Sequence, residues 1–209
     1  MLTGFLPFAC HVQLISKLET INMLLRMSVK IKVDNTLSMV LIDYHHAETL
    51  FQLVKLNRLH LRAWLPWVDQ MRSMDDFRKY ITSSKQRYAN HTEMGYVIIQ
   101  DHVMVGRLGL YNIDLINKSA SIGYWLDKEW EGKGIITRCC KAAIDEGFSH
   151  LQLNRIEIRA ATANVKSQAI PERLGFKKEG IIRQGEFVNN EFVDLYVYSM
   201  LKEEWQKPA

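Results

Sequence analysis

The chain has 209 residues and a formal charge of +4, with 47% hydrophobic and 24% charged residues. These values exclude a disordered chain and lack the dense basic stripe of a nucleic-acid binder; the small positive excess favours an anionic ligand. Three cysteines (Cys10, Cys139, Cys140) make no disulfide framework and fit a reducing cytoplasm, no histidine has metal-ligand spacing to them, and no apolar run reaches the length of a membrane span.

Residues 1–26 open with the apolar MLTGFLPFACHVQLI, which has neither a positive n-region nor a clear cleavage site. They read as an extension outside the core fold, with Met23 and Met27 as alternative starts. Residues 27–209 read as one domain. VKIKVDNTLSMVLI alternates around an Asp34–Asn35 turn signal and predicts two short strands. Asp43 then caps a helix whose apolar positions, Ala47, Leu50, Phe51 and Val54, run to about Leu59. LRAWLPWVDQ is a loop. Ser73, with Asp76 three places on, opens a second helix to Tyr88. Asn90 to Gly95 is a loop, and two strands follow around a tight turn at Asp101 and His102. NKSA turns the chain into a third strand, SIGYWLD. Gly134 to Leu151 carries Ile136, Cys140, Ala143, Ile144 and Phe148 at helical spacing. RIEIRAAT is a strand, Asn164 to Leu174 a short helix stopped by Gly175, and the last two strands meet at Asn189 and Asn190. EEWQKPA reads as a tail. This order gives an α+β fold with a mostly antiparallel sheet, not an alternating Rossmann sheet.

EWEGKGIITR, at the mouth of the long helix, raises a question: two glycines stand where a helix should begin. A nucleotide P-loop fails, because Lys133 is followed by Gly134 rather than Ser or Thr. The dinucleotide fingerprint fails, because Thr137 occupies the third glycine position. Two readings stay open. One is a plain glycine turn. The other is a strand–loop–helix cradle for a pyrophosphate, where free helix N–H groups meet the ligand and glycines let it approach, with Lys133, Arg138 and Lys141 adding charge.

The stretch Ile122 to Thr137 resembles motif A of the GNAT superfamily of acetyl-CoA-dependent N-acetyltransferases, Arg/Gln-x-x-Gly-x-Gly/Ala. Gly134 matches; Glu131 and Ile136 depart from it. NVKSQAIPERLGF is similar to the second GNAT signature. INKSASIGYWLD, EGKGII and the Arg-Ala-Trp-Leu-Pro-Trp loop resemble the ribosomal-protein serine/alanine N-terminal acetyltransferase branch, over roughly Thr36 to Trp205. The resemblance implies a GNAT-like, mostly antiparallel central sheet of about seven strands flanked by helices.

It also implies a division of labour. Acetyl-CoA would lie along Tyr124, Trp125, Leu126, Gly132, Lys133, Gly134, Ile135, Ile136, Thr137, Asn164 and Ser167. Asp114 would be the base that deprotonates the amine through water, and its removal would cost roughly 10²- to 10⁴-fold in rate. As a bare residue, Asp114 reads equally as a turn former. Ser167 would protonate the leaving thiolate; it also reads as a first-turn cap residue. Oxyanion stabilisation is expected from N–H groups around Ile122 to Tyr124, freed by a bulge. Pro171 predicts that the regular helix begins only near Ser167 or Gln168, after a distorted first turn. Trp64 and Trp67 would cover the acceptor. Tyr124 and Trp125 must face opposite sides of the sheet. Cys140 reads as a core residue.

The implied activity is transfer of an acetyl group to an amine, by direct attack in a ternary complex. The acceptor is the N-terminal α-amine of a ribosomal protein, in a cytoplasmic homodimer without metal, nucleic acid or membrane. The alternatives are a small amine (polyamine, amino acid, aminoglycoside) or a CoA-binding module without turnover.

Overall fold

The computed structural model describes residues 29–205, so the extension read at residues 1–26 lies outside the described residues. Eight strands form one sheet: β1 (Lys30–Lys32), β2 (Leu37–Leu41), β3 (Glu93–Gln100), β4 (Val103–Asp114), β5 (Ser119–Leu126), β6 (Arg155–Ala161), β7 (Lys177–Val188) and β8 (Glu191–Leu201). Their order is β1-β2-β3-β4-β5-β6-β8-β7. Every neighbouring pair is antiparallel except β5 and β6. The sheet has eight strands, against the approximate seven that the resemblance implies.

The turns follow their residue chemistry. Asp34 accepts from the N–H groups of Thr36 and Leu37 at 2.8 Å each and closes the β1–β2 turn. Asp101 and His102 both have positive φ, as do Asn189 and Asn190, which are the conformations a two-residue hairpin turn demands.

Helix α1 (Ala47–Leu56) and α2 (Arg58–Arg62) replace the one helix expected to Leu59. Asn57 breaks the run. Its Nδ2 bonds back to the Leu53 carbonyl (3.0 Å), and its Oδ1 accepts from Lys128 N (3.0 Å). The buried amide thus pins this helix pair to the chain just beyond β5. The Trp–Pro–Trp segment is a 3-10 turn (Pro66–Asp69), not an open loop. Helix α3 (Met74–Ala89) has the expected Ser73/Asp76 capping box. Glu93 to Gly95 belong to β3, because Glu93 is buried and its carboxylate is held by Arg87 and by Ser84 Oγ (2.6 Å).

Helices α1 and α3 cover one face of the sheet, packing Leu50, Val54, Phe77 and Ile81 on Val97 and Met104. Helix α4 (Ile135–Ser149) covers the other, packing Ile136, Cys140, Ile144 and Phe148 on Ile122, Ile156 and Ile158. Burying each such side chain contributes about 1.5–3 kcal/mol. Helix α5 (Val165–Arg173) follows β6. The predicted C-terminal tail is anchored as far as it is described: Trp205 Nε1 donates to Asp145 on α4 at 2.8 Å.

Candidate active site

Strands β5 and β6 pair only from Ser119–Arg155 to Ile122–Ile158. Beyond Ile122, β5 stays with β4 as far as Leu126, while β6 stays with β8 as far as Ala161. The two central strands therefore part, and the edge of Gly123 to Leu126 is left without a strand partner on that side. The expected bulge at Ile122 to Tyr124 is absent. The β4–β5 irregularity lies at Tyr111 to Asp114 instead. Divergence, not a bulge, frees backbone groups here.

One wall of the opening is the mouth of α4. Gly132 and Gly134 have φ of +74° and +69°, and Gly134 is the N-cap. Residues with a Cβ lose roughly 1–2 kcal/mol in this conformation. The backbone alone therefore favours glycine at both places. A Cβ added at Gly132 would meet nothing within 4 Å, so the space above the loop is open. Gly134 offers no side-chain cap, and the first helical bond runs from Arg138 N to the Gly134 carbonyl (3.1 Å). The N–H groups of Ile135, Ile136 and Thr137 thus have no intrahelical acceptor, and the helix dipole adds positive potential. The side chains of Ile135 and Ile136 are buried anchors. These positions can serve an anion through the backbone only.

Cations ring this mouth. Lys133 Nζ lies 4.4 Å from the centre of the Trp130 ring. Arg138 Nη1 holds the Lys133 carbonyl (3.1 Å), and its Nε faces Asp34 at 3.3 Å. Arg173 Nη1, from α5, donates to Thr137 Oγ1 at 3.0 Å. Glu131 is bracketed by Lys166 Nζ (2.6 Å) and His60 Nε2 (3.0 Å). Glu131 stands where the family motif carries Arg or Gln. The structure uses it to join α2, the glycine loop and α5.

The opposite wall is α5. Asn164 Oδ1 accepts from Ser167 N (3.1 Å) and caps the helix. Helix α5 begins at Val165, so Pro171 lies inside it, and the expected late start at Ser167 is not found. Proline at 171 leaves the Ser167 carbonyl without its usual i+4 donor. Tyr124 OH supplies that donor at 3.0 Å, and its oxygen is 3.2 Å from Ser167 Oγ. The phenol proton goes to the carbonyl, so the Ser167 hydroxyl is left to donate to the phenol oxygen. Burial pushes the Tyr124 pKa far up, so the phenol stays protonated.

The other predicted residues separate. Trp125 faces away from Tyr124, as alternation requires, and its ring centre lies 6.2 Å from that of Trp67 in the α1–α3 layer. Leu126 is buried in the α4 core. The Trp125 side chain thus lies on the face opposite Tyr124, while that of Leu126 is on the Tyr124 face and buried. Trp64 sits at the surface of the same Trp–Pro–Trp turn and is 36% exposed.

Asp114 does not join the site. Its Oδ1 accepts from Ile116 N (2.9 Å) and Asn117 N (2.8 Å), and its Oδ2 accepts from Asn117 Nδ2 (2.7 Å). These bonds hold its carboxyl below the usual range. It lies about six residues along β4 from Leu108, the partner of Tyr124, a separation of roughly 20 Å at about 3.3 Å per residue. The structure gives Asp114 the bonds of a turn former. Both cysteines among the described residues, Cys139 and Cys140, are buried, and burial raises the Cys139 pKa to about 12. Neither is a thiolate nucleophile.

Arg107 was missed by sequence reasoning, although a charge inside VMVGRLGLY is itself a signal. It is 5% exposed, bonds the Tyr80 hydroxyl and lies 4.8 Å from that ring's centre. Its room comes from Gly95, which stands beside Gly109 and Gly123 in one row across β3, β4 and β5.

A parted parallel strand pair with an uncapped, cation-ringed helix mouth on one wall and a hydroxyl pair on the other defines an acyl-transfer site for a phosphate-bearing donor. Comparison with known proteins agrees. The acetyltransferase (GNAT) domain family matches residues 36–177. The chain is 40% identical over 176 residues to the putative ribosomal N-acetyltransferase YdaF of Bacillus subtilis, covering 84% of this chain and 96% of that protein. It is 29% identical to the ribosomal-protein-serine acetyltransferase of Escherichia coli, covering 84% and 98%. A solved structure of RimL, a ribosomal L7/L12 α-N-protein acetyltransferase in complex with coenzyme A, superposes with a TM-score of 0.81 at 29% identity, covering 84% and 99%. The chain belongs to the GNAT acetyltransferase family.

Proposed function

We propose that this protein transfers an acetyl group from acetyl-CoA to the N-terminal α-amine of a ribosomal protein in the cytoplasm, by direct attack in a ternary complex. The observation that carries the reading is the Tyr124–Ser167 hydroxyl pair at the parting of β5 and β6, facing the uncapped mouth of α4. The relatives named for ribosomal acceptors, matched over nearly their full length, support the acceptor.

The pyrophosphate of acetyl-CoA is held by the amides of Gly132 to Thr137, with Lys133 and Arg138 supplying charge. The thioester lies along Gly123 to Leu126, where unpaired N–H groups of β5 stabilise the developing oxyanion. Ser167 Oγ turns its one proton from the Tyr124 phenol oxygen to the departing thiolate, while the phenol, donating to the Ser167 carbonyl, keeps the first turn of α5 in place. The acceptor passes beneath the Trp–Pro–Trp turn. No carboxylate base is invoked: a protein α-amine has a pKa of about 8, so a minor neutral fraction is present at cellular pH, and the proton it sheds on attack passes through water to the departing thiolate, leaving free coenzyme A thiol. The homodimer implied by the resemblance is part of this proposal, and sedimentation tests it.

The test incubates the protein with acetyl-CoA and a ribosomal-protein N-terminal peptide carrying a free α-amine. Mass spectrometry should find one acetyl group on that amine. The value of kcat/KM should rise with pH through the amine's own pKa and then level off. Faster acetylation of spermidine or of free amino acids would replace the acceptor. A protein that binds acetyl-CoA but turns over no amine would replace the enzyme reading.

A further inference from the structure

The net charge of the molecule is concentrated in one layer. Residues 44–89 hold eight Lys and Arg against four Asp and Glu, an excess of +4, which equals that of all 209 residues. Within residues 55–72 the imbalance is sharper: Lys55, Arg58, Arg62 and Arg72 face a single acid, Asp69. A groove of about 500 Å³ runs between them, lined by Phe51, Lys55, Arg58, Asp69 and Arg72. Asp69 is held below the usual carboxylate range, chiefly by Arg62.

The same surface exposes large apolar side chains. Leu56 is 82% exposed and Leu59 is 83% exposed, flanking Arg58 on either side of the α1–α2 break. They place two aliphatic side chains in water beside these cations.

This surface is also coupled to the site. Trp67 packs on Trp125 of β5, Asn57 accepts from Lys128 N just after β5, and His60 reaches Glu131 in the glycine loop. A partner resting on α1 and α2 is therefore held beside the crevice where β5 and β6 part.

We infer that the Lys55–Leu56–Leu59–Arg62 surface, with its groove to Arg72, docks an acidic and apolar stretch of the acceptor protein, downstream of the N-terminus being acetylated. This rests on the protein-acceptor reading above and adds a second point of recognition. Charge complementarity selects Asp and Glu; the exposed leucines select aliphatic side chains beside them. Nucleic acid fits less well. It needs a longer unbroken basic track, whereas here Asp69 interrupts the cations.

The test uses the full chain, acetyl-CoA and two peptides with the same first four residues. One continues with alternating Glu and Leu, the other with an equal length of Gly, Ser and Gln. At low salt the acidic peptide should show a KM lower by about tenfold or more, and high salt should erase the difference. Lys55→Glu with Leu59→Ser should raise the acidic peptide's KM to that of the neutral one, leaving kcat and the KM for acetyl-CoA unchanged. Equal KM values for both peptides, or a variant that changes neither, overturns the docking site. Variant-sensitive binding of a single-stranded RNA oligonucleotide, with no binding of the acidic peptide, overturns the partner assigned here. If neither peptide is acetylated, the acceptor reading fails instead; fluorescence anisotropy of the labelled acidic peptide then tests docking directly, and absence of variant-sensitive binding overturns it.

Discussion

Two helix mouths face each other across the site, and they are built in opposite ways. Helix α5 is capped by a side chain, Asn164 Oδ1 on Ser167 N, so one amide of its first turn is satisfied internally. Helix α4 has a left-handed glycine where a capping side chain would stand, and its first amides have no such partner. A capped mouth offers the ligand a side chain, Ser167. An uncapped mouth offers it the backbone. The first placement suits a proton donor, which must be one specific group. The second suits a diffuse anion, which several N–H groups share.

The largest test of this contrast removes the side chain from the capped mouth. Ser167→Ala combined with Tyr124→Phe should lower kcat by about 10²-fold or more while acetyl-CoA binding persists, measured by steady-state kinetics beside calorimetry. If KM for acetyl-CoA rises instead and kcat holds, the two mouths share one role and the contrast fails.

Next comes the backbone mouth. Gly132→Ala should weaken acetyl-CoA by about tenfold, because the new Cβ enters the open space above the loop and strains a positive φ. Gly175→Ala is the control. Its φ is +77° and its Cβ would likewise meet nothing, so it should lose a similar stability of about 1 kcal/mol and no affinity. Equal affinity losses would assign the effect to strain alone.

Asp114→Ala should keep kcat within about threefold, and unfold about 1–2 kcal/mol more easily through loss of the turn's hydrogen bonds. A loss near 10²-fold in kcat would return Asp114 to the site.

The smallest effect lies away from both mouths. Glu179 is lowered to a pKa of about 2, first by Arg155 and then by Ser199. A depressed carboxylate contributes its stability above its unfolded pKa and loses it as pH falls through the folded one. Melting temperature should therefore decline between about pH 4 and 2, and Glu179→Gln should flatten part of that decline. The pair is largely exposed, so screening keeps the contribution under about 1 kcal/mol.

Much of this was legible in the chain. Periodicity located the strands and the long helix, because period 2 and period 3.6 each demand a distinct backbone. Asp34, the Ser73–Asp76 pair, Asp101–His102 and Asn189–Asn190 announced turns and caps, because their chemistry is local. Gly132 and Gly134 announced a special backbone, and Asn164 and Ser167 were recognised by their resemblance to a known pattern. What stayed hidden depends on contacts far apart in sequence. No local signal shows that β5 and β6 part after Ile122, since that depends on which strand each keeps as a partner. Pro171 inside α5 looks forbidden until Tyr124, 43 residues upstream of Ser167, satisfies the orphaned carbonyl. The resemblance alone does not show that Asp114 spends its carboxylate on three bonds within its own turn. The sequence by itself determined the elements, the turns and the acetyltransferase family, because these are encoded in nearby residues. Only the tertiary structure decided which side chains meet, because a hydrogen bond between distant segments exists only once the sheet has set their register.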